Sequence, residues 1–140
     1  MPTSVDDATA AYILETRRCF EDLRQVASQL AGLLVLAASG GKSAAPDHPM
    51  LESARRLFEE AEDGLQGARM TERARAHHQA LLDACGAMRE SLERADASLQ
   101  SIDPVLLPLR NAYSHLERAS RLLPGFEMVS FEHACCARIA

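Results

Sequence analysis

The chain has 140 residues, a formal net charge of −5 and 47% apolar against 25% charged residues, the balance of an ordinary single globular domain. Aromatics are only 4% with no Trp, so the core must be built from Leu, Ala, Val and Met, whose close seams leave little room for a large interior ligand. The acidic balance argues against a nucleic-acid binder, which needs a basic face to displace phosphate counterions, and the one basic cluster (Arg69, Arg73 and Arg75 with His77 and His78) reads as a solvated turn.

The first residues, Met1 to Asp7, show no positive stretch followed by an apolar one, so no signal peptide is expected. The longest apolar run, Leu30 to Ala38, is about half of what a bilayer span requires. The cysteines lack the spacing of a disulfide scaffold, which points to a reducing compartment. The expectation is a cytoplasmic protein that engages neither membrane nor nucleic acid.

Four helices are predicted, over residues of about 4–39, 48–66, 71–102 and 104–123. The first starts at Ser4 as N-cap, with Asp6 and Asp7 favouring the positive end of the helix dipole. Its seam runs through Val5, Thr9, Tyr12, Thr16, Cys19, Leu23, Val26, Leu30, Leu33 and Ala37 in alternating steps of four and three. Asp47 is the expected cap of the second helix, with Pro49 in its first turn and a stripe of Met50, Leu51, Ala54, Leu57, Phe58, Ala61 and Leu65; Gly64 and Gly67 weaken its end. The third restarts at Thr71 and carries Ala74, His78, Leu81, Cys85, Met88, Leu92, Ala95, Leu99 and Ile102. Asp103-Pro104 signals a fourth start, followed by Val105, Leu109, Ala112, Leu116, Ala119 and Leu123, and Pro124-Gly125 stops it. Four amphipathic helices with short connections and a seven-residue period predict an all-α fold, an antiparallel up-down four-helix bundle over residues 1–125 with an extended C-terminal tail at 126–140.

One turn departs from the stripe. Leu30, Leu33, Leu34, Val35 and Leu36 surround the first helix and so want cover on all sides. The predicted first and third helices also overhang the second and fourth. Both features favour a homo-oligomer, most simply a twofold dimer, with these residues and the tail rings Phe126 and Phe131 as the interaction surface.

Several chemistries fail on spacing. Gly41-Lys42-Ser43 lacks the earlier glycine of a phosphate loop, since position 36 is Leu, and it follows a helix rather than a strand. No Glu-x-x-His pair exists for a carboxylate-bridged metal centre, and there is no Cys-x-x-Cys. His78 on the third seam, with Tyr113 and His115 on the fourth helix, is a candidate for ligand binding. In the tail, His133, Cys135 and Cys136 offer an imidazole and two thiols, soft ligands suited to Cu(I) or Zn(II). A disulfide between neighbouring cysteines is strained and easily reduced, the behaviour of a switch. Three ligands, however, do not close a tetrahedral zinc site. No seam carries a carboxylate as acid or base, and no nucleophile has a base on its own helix face, so catalysis is not expected. The sequence thus reads as a non-catalytic, self-associating interaction or accessory module that presents its helical faces and tail to a protein partner. The alternative is a metal-binding or thiol-redox-responsive protein acting through His133, Cys135 and Cys136.

Overall fold

The computed structural model describes residues 5–40 and 48–128, and these form four helices with no strand among the described residues. They are α1 (Asp7–Ala38), α2 (Pro49–Gln66), α3 (Arg75–Ala97) and α4 (Asp103–Leu122). None is long and apolar enough to cross a membrane. The buried residues of all four form one cluster, so the helices share a core as a bundle does.

Local chemistry explains where the helices begin and end, and it moves four of the expected boundaries. Asp6, in extended backbone, occupies the N-cap of α1, and Ser4 lies outside the described residues. At the other end the Ser39 hydroxyl donates to the Val35 carbonyl at 2.8 Å, and Gly40 follows in the left-handed region at φ +72°. α2 is capped by His48, whose Nδ1 accepts from the Met50 amide at 3.0 Å, rather than by Asp47, which lies outside the described residues. The third helix is shorter than the predicted 71–102. Thr71 ends a loop instead of starting the helix: its hydroxyl accepts from the Ala74 amide at 3.3 Å and bonds the Thr9 hydroxyl at 2.9 Å. Ser98 adopts extended backbone, and its hydroxyl accepts from the Gln100 amide at 3.1 Å. That local bond competes with the helical ladder and ends α3 at Ala97, although Leu99 beyond it stays buried. At 23 residues α3 is close to α2 (18) and α4 (20); only α1, with 32, is long enough to overhang.

Small residues set how closely the helices meet. A side chain at Gly64 would bring its Cβ to 2.8 Å from Cys19 Sγ, so α2 reaches α1 there because it has none. Ala84 of α3 and Ala112 and Ala119 of α4 are fully buried, and the buried Ser91 hydroxyl of α3 donates to the Val105 carbonyl of α4 at 2.8 Å. Arg55 pairs with Asp96 at 2.9 Å and Arg89 pairs with Glu62, tying α2 to α3 from outside.

The apolar turn of α1 belongs to the core, which corrects its reading as a surface. Leu30 and Leu33 are fully buried and Leu34 nearly so. Gly32 lets Met50, at the start of α2, lie against that side of the helix. Leu36 is half-buried, and Val35 alone of the five stands clear, at 65% exposed.

Candidate functional site

Two places in the described structure depart from simple helical packing. The first is a buried polar cluster where the start of α1, the start of α3 and the segment after α4 converge. Tyr12 (α1) and His77 (α3) are each almost completely buried. The Tyr12 hydroxyl lies 2.8 Å from His77 Nδ1 and 3.3 Å from Nδ1 of the half-buried His78. A tyrosine hydroxyl both donates and accepts, so either of two proton orders satisfies all three atoms: His77 Nδ1–H donates to Tyr12 Oη and Tyr12 O–H to His78 Nδ1, or the reverse. His77 Nε2 is then left buried with no partner. Burial lowers the His77 pKa from 6.5 to about 4, with the neighbouring His78 adding to the effect, and burial also lowers His78. Burial pushes the Tyr12 phenol well above its usual range. All three groups are therefore neutral near pH 7.

A strap closes this cluster. Gly125, at φ +94°, turns the chain in a conformation that side chains resist, with Ile13 and Arg17 too close to admit a Cβ comfortably. Phe126 follows at 2% exposed, its ring 4.1 Å from the His77 ring and 5.4 Å from Phe20, edge to face with the latter. Arg17 Nε donates to the Gly125 carbonyl at 3.2 Å and Arg24 Nη1 to the Glu127 carbonyl at 2.8 Å. The start of the tail thus docks along α1 of its own chain. Phe131, His133, Cys135 and Cys136 lie outside the described residues.

The second place is an open groove of about 640 Å³ between α1 and α4. Ala27, Ala31, Leu106 and Leu109 give it an apolar floor, while Glu21, Arg24, Arg110 and Tyr113 stand among its walls. Its volume is in the range of pockets that take small ligands or a short stretch of peptide. Closely spaced small residues led to the expectation of tight seams. Between α1 and α4 the same residue types leave a gap.

The structure separates the three residues suggested for ligand binding. His78 bonds Tyr12, and Tyr113, at 37% exposed, lines the groove. His115 is half-buried on α4, with no bond to either among the described residues. The seam histidine of α3 is His77, not His78: the buried positions step from Ala74 to His77 to Leu81, which also fits a three-then-four rhythm. Cys19 and Cys85 are buried free thiols, as their seam positions suggest. Burial raises both, Cys85 to about 12, so neither supplies a thiolate near neutral pH. Among the described residues no group of three or more His, Cys, Asp or Glu side chains is placed to hold a metal ion. No family model, curated protein or solved structure matches this chain.

Proposed function

We propose that the protein is a non-catalytic interaction module, an up-down antiparallel bundle that takes an apolar segment of a protein partner into the groove between α1 and α4. The groove itself carries the reading: about 640 Å³ of open space over an apolar floor, on a chain whose polar cluster is closed off from solvent. The antiparallel order is supported by the two ion pairs between α2 and α3, since Arg55 to Asp96 and Glu62 to Arg89 advance along one helix while retreating along the other. Charge complementarity selects the occupant. Arg110 stands at the groove with no ion pair among the described residues, whereas Arg24 is already bonded to the strap. A segment with large apolar side chains over Ala27, Ala31, Leu106 and Leu109, and a carboxylate opposite Arg110, meets both demands. A second copy of the chain is a weaker occupant, because the leucines that argued for self-association are in the core.

The test is a selection of short random peptides displayed on phage, with the winners measured against the full chain and an Ala31→Trp variant that fills the groove. Peptides carrying aromatic or leucine side chains beside an acid, bound at least tenfold more weakly by the variant (about 1.4 kcal/mol), are the expected result. Peptides indifferent to Ala31→Trp and to Arg110→Ala would refute the reading.

A further inference from the structure

We infer that Phe126 and His77 form an acid-sensitive latch: protonation of the His77 ring expels the Phe126 ring and frees the strap of residues 124–128 from α1. The inference goes beyond groove binding and stands whether or not the groove takes a peptide. Its basis is geometric. Phe126 covers an imidazole whose Nδ1 is engaged by Tyr12 and whose Nε2 has no hydrogen-bond partner in a place without solvent contact. Protonation of the ring, from either neutral tautomer, gives a buried cation whose Nε2–H meets no acceptor, the least tolerated kind of buried group.

The surroundings offer that cation little compensation. From α1 comes the Tyr12 hydroxyl, already engaged with Nδ1, and from α3 comes His78, whose own protonation repels a second charge. The strap contributes the Phe126 ring, and its charged contacts, Arg17 and Arg24, hold backbone carbonyls at its outer edge. Among the described residues, α2 and α4 place no titratable side chain in bond or ring contact with His77. The face of Phe126 attracts a cation, but an aromatic face does not replace hydration. Water reaches Nε2 when the ring lifts. The strap is the movable cover, because it is not part of any helix and is held by two exposed hydrogen bonds, the Phe126 ring and the partly buried Met128.

The linkage has a definite sign and size. His77 titrates at about 4 with the strap closed and near 6.5 in water, so the closed state prefers the neutral ring and loses ground as pH falls from 6.5. Between about pH 7 and pH 5 the open-to-closed ratio of the strap rises roughly twentyfold if opening hydrates the ring fully. The reciprocal statement is the more direct one: removing the ring must raise the pKa of His77.

The experiment is a proton NMR titration of the histidine Cε1–H signals in the full chain and in Phe126→Ala, with His77→Gln used to assign the resonance. The expected result is a His77 midpoint at least one unit higher in Phe126→Ala, and a midpoint still depressed in Phe126→Leu, which keeps apolar cover. If Phe126→Ala fails to fold, Gly125→Ala, which strains the turn that seats the ring, gives the same readout. A His77 midpoint that is the same with and without the ring overturns the latch. So does a loss of stability from Phe126→Ala in urea that is equal at about pH 7 and about pH 5.

Discussion

α1 serves two neighbourhoods that are built in opposite ways. At its start, Tyr12, Thr16, Cys19 and Phe20 are closed in by α2, α3 and the strap, and polar atoms there bond to one another. From Glu21 to Ala31 its other face looks across an open groove to α4. One helix therefore carries a region where shape is fully determined and a region left unfilled. Among the described residues the buried polar cluster sits in the first and the open groove in the second.

The contrast sharpens into measurable differences. The largest belongs to the closed region: Phe20→Ala removes a ring that is 1% exposed and that supports Phe126, and should destabilise the protein by about 3–5 kcal/mol in urea denaturation. A loss under 1 kcal/mol would mean that the region is loosely packed. Next comes pH. His77 is held neutral by the fold, so its contribution is intact above the unfolded pKa of 6.5 and is lost as pH falls toward about 4. Stability should drop by about 2–3 kcal/mol over that window, and His77→Gln should flatten the profile.

Gly64→Ala tests the close approach of α1 and α2. Alanine gains helix propensity, but its Cβ would lie 2.8 Å from Cys19 Sγ. The clash should win by about 1–2 kcal/mol, and Cys19→Ala in the same chain should recover most of it in a double-mutant cycle. The smallest effect belongs to the groove. Tyr113→Ala should change stability by less than about 1 kcal/mol, because the ring lines an open groove and is 37% exposed, while weakening any peptide that binds. A large drop in melting temperature for that variant would mean that the groove wall is structural.

Much of the helical architecture was legible in the residue pattern because apolar positions recur every three or four residues, a rhythm that only a helix places on one side. The second and fourth helices fell within two residues of their predicted ends. The third did not, because Leu99 and Ile102 prolong the apolar rhythm past Ser98, whose hydroxyl settles the local contest in favour of a turn. The adjacent histidines show the limit on site prediction. Neighbouring positions on a helix differ by about 100° around its axis, so choosing His78 over His77 points to the wrong side. Phe126, expected on an interaction surface, is instead buried against Phe20 and His77 of its own chain, because an apolar ring seeks cover but its sequence does not say whose. The groove had no signal of its own, since Ala27, Ser28 and Ala31 would serve equally in a closed seam.

The central claim, that binding belongs to the open face of α1 and not to its closed end, is tested most directly by backbone amide NMR during titration with a selected peptide. Shift changes confined to residues 21–31 and 106–114, with Tyr12, His77 and Phe126 unmoved, are the predicted result. Changes centred on the Tyr12 cluster, or on the outer face of α2 and α3 with the groove silent, would contradict it.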